Sequence, residues 1–328
     1  MTKIFVTGGA GFVGSFVTKQ LLKQGDKVVI HDAFLNYISP FKSNYQKLLK
    51  LRFEDEIDKV EIIRGDIRHR EELLKILKKI KPEKIVHLAA LPIAPVANKL
   101  FDDAMSINRD GTMNVLECAR QIPTVNHFIY ASSSMVYGDF RYTPADENHP
   151  TNPNDVYGGT KLSGEILTRV YHKQYGINYN IIRLSSVYGP TDVNRRVSQI
   201  FIENALKGKP LVLHDGGESK LDFTYVEDVA QGFVLALKKD KALNEVFNIT
   251  RGEARSLKEF AEILKTLIPN IKVETKELSK KEKRPERGTL DISKARKLLG
   301  YNPKYSLEDG LKKYVEFVKK HGMSSNNG

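Results

Sequence analysis

Tyr157 and Lys161 form a Tyr-x-x-x-Lys pair, and Ser133 lies upstream in the run Ala131-Ser132-Ser133-Ser134-Met135-Val136-Tyr137-Gly138. On a helix this spacing projects the tyrosine and the lysine from one face, about a turn apart. The chemistry such a group could perform is proton transfer at an alcohol. A free phenol titrates near about 10, so a tyrosine acting as base near neutrality must be lowered by roughly three units, or about 4 kcal/mol. The Lys161 ammonium in a desolvated cleft is one source of that shift. Ser133 would hydrogen-bond the same substrate oxygen and steady a developing alkoxide. Each motif alone is equally well explained by a packed tyrosine, a surface lysine and a polar strand end. Only the combination carries the reading.

A hydride acceptor must accompany such a base, and the N-terminus offers a place for one. Thr7-Gly8-Gly9-Ala10-Gly11-Phe12-Val13-Gly14 stands between an apolar strand and a segment in which Val13, Phe16, Val17 and Leu21 recur at helical spacing. Gly8, Gly11 and Gly14 let the backbone approach a pyrophosphate, and the free N–H groups of the first helical turn, at Phe12, Val13 and Gly14, would point at its oxygens. The spacing is G-x-x-G-x-x-G rather than G-x-G-x-x-G. A strand before, a helix after and an acid ending the second strand make the site a dinucleotide turn. That acid, Asp32, would accept hydrogen bonds from the adenosine ribose and repel a 2′-phosphate, which predicts NAD over NADP. Its alternative is a strand-end turn residue. Asp66, after the third strand, either caps the next segment or hydrogen-bonds adenine.

These residues need a scaffold, and the pattern supplies one. Strands are expected over 3–7, 27–32, 60–64, 84–89, 127–132 and 179–184, alternating with helices over 70–79, 108–121 and 156–175. Alternation of this kind predicts an α/β fold, a Rossmann-type doubly wound parallel sheet with right-handed crossovers. The rhythm breaks near Pro190. The expected division is an NAD-binding domain over 1–190, rejoined by 229–250, and a smaller α/β substrate-binding lobe over 191–322. A polar loop over 276–287 and a disordered tail over 323–328 complete the chain.

Composition excludes other classes. At 328 residues, with 41% hydrophobic and 28% charged residues, the chain has the make-up of a soluble globular enzyme. It has no apolar run fit for a bilayer, and Met1-Thr2-Lys3 leads into a core strand rather than a signal peptide. Cys118 is the single cysteine, so no intramolecular disulfide can form, and a cytoplasmic location is expected. The formal charge of +12 comes mostly from lysines spread along helix faces. The cluster Lys280-Lys281-Glu282-Lys283-Arg284 carries an acid and no aromatic residue, so no nucleic-acid partner is expected. A basic field would still attract an anionic nucleotide. No metal site is expected.

With these motifs in place, the sequence resembles an extended short-chain dehydrogenase/reductase of the nucleotide-sugar epimerase and dehydratase group, over nearly its whole length. Supporting blocks are His87-Leu88-Ala89-Ala90, Asn108 with Gly111-Thr112, Arg183-Leu184-Ser185-Ser186-Val187-Tyr188-Gly189-Pro190 and Asp222-Phe223-Thr224-Tyr225-Val226-Glu227-Asp228-Val229. The resemblance implies that Tyr157 is the general base, that Lys161 binds the nicotinamide ribose, and that Ser133 is the assisting hydroxyl. It implies that Asp66 and Ile67 contact adenine, with Leu88, Ala89, Ala90 and Asn108 also around the cofactor. Ser134, Ser186 and Arg284 would meet a nucleotide-diphosphate-sugar, Arg284 at the diphosphate. A homodimer through helices near 108–121 and 156–175 is implied as well.

Three departures refine the expectation. Dehydratases of the group follow the catalytic Ser/Thr with Asp-Glu, whereas Ser134-Met135 stand here, and neither can act as acid–base at C5 and C6. Ser186 replaces an asparagine, and Leu221 replaces an arginine that precedes Asp-Phe; Lys220, Arg195 and Arg196 are candidates to substitute for it. The expected activity is an NAD-dependent 4-epimerase working through a 4-keto sugar. Its rivals are a nucleotide-sugar 4-dehydrogenase or 4-keto reductase, and a non-catalytic NAD-binding sensor.

Overall fold

A computed structural model describes residues 1–35, 45–277 and 285–322. The first strands in chain order are β1 (Lys3–Thr7), β2 (Lys27–Asp32), β3 (Glu61–Arg64), β4 (Lys84–His87), β5 (His127–Ser133) and β6 (Asn178–Leu184). There follow β7 (Val187–Tyr188), β8 (Leu211–His214), β9 (Lys220–Asp222), β10 (Thr224–Tyr225), β11 (Glu245–Ile249), β12 (Ala254–Ser256) and β13 (Val273–Lys276). The helices are α1 (Phe12–Lys23), α2 (Tyr45–Phe53), α3 (Arg70–Ile80), α4 (Ala94–Lys99), α5 (Phe101–Ala104) and α6 (Thr112–Ala119). After them come α7 (Val156–Tyr175), α8 (Val197–Leu206), α9 (Val226–Lys238), α10 (Leu257–Leu267), α11 (Ser293–Leu299) and α12 (Leu307–His321).

Among the described residues seven strands form a parallel sheet in the order β11-β6-β5-β4-β1-β2-β3. Its central strands are apolar on both faces, as a sheet covered on both sides requires. Ile4 and Val6 face a core shared with Val17 and Leu21 of α1 and Val229 and Phe233 of α9. Phe5 faces the opposite core, with Leu73 and Leu77 of α3 and Val115 and Leu116 of α6. Between β1 and β4 the strand order reverses, which opens a crevice at their carboxyl ends.

The sequence expectations hold closely here, with instructive differences. The helix over 156–175 appears with those bounds, set by Asp155, whose side chain accepts from the Gly158 N–H at 2.7 Å, and by left-handed Gly176. The strand over 84–89 stops at His87 because the chain turns across the crevice mouth. The helix over 108–121 belongs to a longer helical run that starts at Phe101 and passes through a π turn, Met105–Gly111. Gly111 is tightly placed there: a Cβ would lie 2.5 Å from Ile67 Cδ1.

Beyond Pro190 the chain alternates between two bodies. Strand β11 returns to the main sheet beside β6, with Val246 opposite Ile181. The lobe has its own core of Phe201, Ile202, Phe260, Leu264, Leu311 and Tyr314, and short paired strands, β8 with β13 and β9 with β12. Helix α11 lies inside the range expected for the lobe but packs on the main body, with Ala295 and Leu299 in the α1 and α9 core. The reason is geometric: an added edge strand needs its face covered. The tail over 323–328 and the middle of the polar loop lie outside the described residues.

A buried ion pair ties β5, β6 and α7 together beneath the crevice. Glu165 accepts from Arg183 Nε at 2.9 Å and Nη2 at 2.8 Å, and from the Ser132 hydroxyl at 2.7 Å. Both charged side chains are almost wholly excluded from solvent. Removing one partner leaves the other charge buried and uncompensated. Glu165→Gln is therefore expected to cost about 3–5 kcal/mol of unfolding free energy, measured by urea denaturation. A loss below about 1 kcal/mol would show that the pair does not hold the strands.

Candidate active site

The glycine turn shows why its glycines are there. Gly8 has φ of +69°, and a Cβ on it would lie 2.6 Å from the Ala89 backbone nitrogen, so β1 and β4 approach closely only through glycine. A Cβ on Gly14 would overlap the Gly8 carbonyl oxygen. Gly11 is the N-cap of α1, and no side chain caps the N–H groups that follow it. Those orphan donors and the helix dipole suit an anionic group at the turn. Asp32 lies at the same mouth. It accepts from Ala10 N at 3.0 Å and Phe34 N at 2.8 Å, which leaves lone pairs for ribose hydroxyls. Burial pushes its carboxyl up, while the Phe34, Ala10 and Gly11 N–H groups and Arg52 hold it down.

One cleft of about 1430 Å³ runs from this turn to the C-terminal lobe. Gly8, Gly11, Phe12, Val13, Gly14, Asp32, Asp66, Ile67, Leu88, Ala89 and Ala90 line one end, and Ser133, Ser134, Tyr157, Lys161 and Ser186 line its middle. Asp66 does not cap α3, whose N-cap is His69, and it lies in the cleft wall where the adenine reading requires it. Its carboxylate holds Arg68, accepting from Arg68 N at 2.9 Å and Nη2 at 2.7 Å. Asn108 stands behind the wall rather than in it. Its side-chain amide accepts from Leu91 N at 2.7 Å and donates to Leu91 O at 3.2 Å and to Thr160 Oγ1 at 3.1 Å. It therefore positions the loop after β4 against α7.

The Tyr157 end is built from two packed turns. Ser133 ends β5 and its hydroxyl accepts from Met135 N at 3.2 Å, capping the short turn Ser134–Tyr137. Gly158 lets α7 sit on that turn, since a Cβ would come within 2.6 Å of the Met135 carbonyl oxygen. Tyr157 and Ser133 line the same stretch of the cleft, and the Ser133 hydroxyl is close enough to favour the ionised phenol. Lys161 is buried, donates to the Ala131 carbonyl at 2.8 Å, and lies 5.9 Å from the Tyr157 ring centre.

The electrostatics correct one expectation. Burial pulls the Lys161 amine down to about 7, and burial pushes the Tyr157 phenol up rather than down. The opposing pull on the phenol comes from Arg196 and from the Ser133 hydroxyl, not from Lys161. The Lys161 amine points at the Ala131 carbonyl, and its burial favours the neutral form.

The remaining candidates separate clearly. Ser134 is buried in the cleft wall and its hydroxyl has no hydrogen-bond partner in the protein. Ser186 lines the cleft in a left-handed conformation, φ +38°. Arg284 lies outside the described residues. Arg195 and Arg196 reach the cleft, held by Glu203 at 2.6 Å and by Asp192 at 2.9 Å, while Lys220 is exposed on β9 and does not line it. Arg52 and Arg287 are cleft residues that sequence reasoning passed over. No local pattern marks them, because an arginine near a helix end or in a polar loop reads as solvated. Among the described residues no group of His, Cys, Asp and Glu could hold a metal, and no helix is long and apolar enough to cross a membrane.

Comparison with known proteins agrees with this geometry. Residues 5–314 match the family described as GDP-mannose 4,6 dehydratase. The UDP-glucuronic acid 4-epimerase of Bacillus cereus, solved with UDP-glucuronic acid and NAD, superposes with a TM-score of 0.87 at 33% identity, covering 97% of this chain and 99% of that one. The UDP-glucose 4-epimerase of Thermotoga maritima, solved with UDP-glucose, gives 0.86 at 30% identity, over 97% and 99% of the two chains. UDP-glucuronic acid decarboxylase 1 of Arabidopsis thaliana is 31% identical over 99% of this chain and 72% of its own length. The chain belongs to the GDP-mannose 4,6-dehydratase family of extended short-chain dehydrogenases/reductases.

Proposed function

We propose that the protein is an NAD-dependent nucleotide-sugar 4-epimerase. One observation supports it above others: a dinucleotide turn and the Ser133, Tyr157 and buried Lys161 side chains share a single cleft. The residues fit NAD, since glycines open the turn and Asp32 would face the ribose. Bound NAD supplies a reversible hydride acceptor and a positive ring near the phenol. Tyr157 removes the proton of the sugar C4 hydroxyl and later returns it. Ser133 hydrogen-bonds the same oxygen. Lys161 would orient the nicotinamide ribose. Arg195 and Arg196 give the nucleotide diphosphate its counter-charge. Ser134-Met135 offer no carboxylate to take the C5 proton or to protonate the departing C6 hydroxyl, which argues against dehydration despite the family's description.

Homodimerisation and a cytoplasmic setting belong to the same reading. Phe101, Met113, Ile166, Val170 and Tyr175 are exposed on the helical run from Phe101 and on α7, and Ile166 and Val170 share one helix face. Ile166→Asp with Val170→Asp is expected to convert the dimer to a monomer in light scattering. An unchanged mass would remove this face as the seam.

Tyr157→Phe is expected to retain NAD and lose about 10²–10⁴-fold in kcat. Full turnover would refute the phenol's role. Wild-type enzyme should yield sugar inverted at C4 with no net NADH; accumulated keto-sugar or released CO2 would replace epimerisation by oxidation or decarboxylation. Lys161 adds a pH signature. Its folded pKa of about 7 lies below the ordinary 10.5, so the unfolded chain binds more protons between those values and stability rises with pH there. The penalty for burying it is complete below about 7 and gone above about 10.5. Lys161→Met should therefore stabilise the NAD-free protein most below pH 7, with the gain fading by pH 10. A pH-independent gain would contradict this.

A further inference from the structure

Arg52, near the end of α2, is a buried charge that the reaction above does not use. Its Nη1 donates to the Ala10 carbonyl at 2.7 Å and its Nη2 to the Thr191 carbonyl at 2.9 Å. One guanidinium thus joins the dinucleotide turn to the loop that leaves β7 for the lobe. Among the described residues its Nε has no hydrogen-bond partner and no carboxylate is in salt-bridge contact with it, although Asp32 and Asp192 attract it from farther off. An apolar side chain would fill this place at lower cost, because a buried charge is expensive unless closely paired.

Both ends of this bridge lead to ligand groups. At the turn, the Ala10 N–H is held by Asp32, the acid expected at the ribose, so Ala10 is fixed on both sides. At the loop, Thr191 has φ of +65°, a left-handed conformation unfavourable for a β-branched residue. The Arg52 bond helps hold it there. Asp192 follows at once and fixes Arg196 through both carboxylate oxygens at 2.9 Å, and Asn194 through its backbone N–H at 3.1 Å. The chain of contacts therefore runs Asp32, Ala10, Arg52, Thr191, Asp192, Arg196. Arg196 lines the cleft with Tyr157.

We propose that Arg52 is a positioning residue that couples the dinucleotide turn to the substrate loop 191–196, so that bound NAD and a bound nucleoside diphosphate hold each other in place. The inference rests on the function proposed above and adds a thermodynamic link between its two ligands. By reciprocity, whatever one ligand does to the other's affinity is returned in full. For an epimerase the consequence is useful: the cofactor is held most firmly while sugar is in the cleft.

The test uses the full-length protein as isolated with NAD, and UDP as probe. NAD release after dilution is followed by ultrafiltration and mass spectrometry, with and without saturating UDP. In wild type UDP should slow release by about five-fold or more, within the usual range of such couplings. In Arg52→Met the ratio should fall to near one. Arg52→Lys, able to reach only one carbonyl, should give an intermediate ratio, and it decides the matter if the methionine variant does not fold. A purely structural arginine would lower thermal stability in both variants yet leave the UDP effect at its wild-type size, and that result overturns the inference. Wild-type protein that binds both ligands with no mutual effect overturns it too. Failure to bind NAD or UDP at all would instead count against the function proposed above.

Discussion

The cleft depends on one close contact between backbones. At the crevice, β1 and β4 are neighbours whose continuing chains diverge to opposite sides of the sheet, and Gly8 meets Ala89 where no Cβ would fit. This approach exposes the first turn of α1 and lets its unpaired N–H groups face the cleft. It also sets where the chain after β4 runs, and Asn108 then fastens that segment to α7 through Leu91 and Thr160. The position of Tyr157 relative to the dinucleotide turn is therefore fixed by packing of main chain on main chain. Side-chain chemistry is added to a frame that is already rigid.

Charge burial performs a second kind of work. Glu165 and Arg183 secure three elements under Ser133, and Asp222 does the same between the lobe and the chain after β11. Asp222 accepts from Arg251 N at 3.0 Å, Gly252 N at 3.2 Å, Leu290 N at 3.2 Å and the Thr250 hydroxyl at 3.1 Å, while burial pushes its carboxyl up to about 7. Arg52 belongs with these in being buried. It differs in that its hydrogen bonds among the described residues go to two backbone oxygens, one from each side of the cleft.

Much of this was readable from residue order alone, for local reasons. The α7 helix appears over the 156–175 span expected for it and carries Tyr157 and Lys161 a turn apart, as their spacing requires. The glycine turn is legible because strand, turn and helix follow each other directly. Other features depend on contacts between distant segments and leave no local trace. Two-residue strands such as β7 and β10 are too short to show a period. The partners of Arg52 are carbonyls, which every residue possesses. Whether Lys161 lowers Tyr157 depends on where an ammonium points, and here it points at Ala131. Asn108 was recognisable as important, yet only the packing shows that it grips Leu91 rather than the cleft.

The route of the chain after Pro190 has a consequence of its own. Because α9, β11 and α11 belong to the larger body while α8, α10 and α12 build the smaller one, the polypeptide passes between the two bodies several times. Several covalent tethers cannot act as a single hinge, so relative movement is confined to slight sliding of packed surfaces. Neither body is a continuous stretch that could be excised. Severing the chain near Pro190 would strip β6 of its neighbour and bare the apolar face under α9, leaving an open sheet edge of the sort that recruits other strands into aggregates.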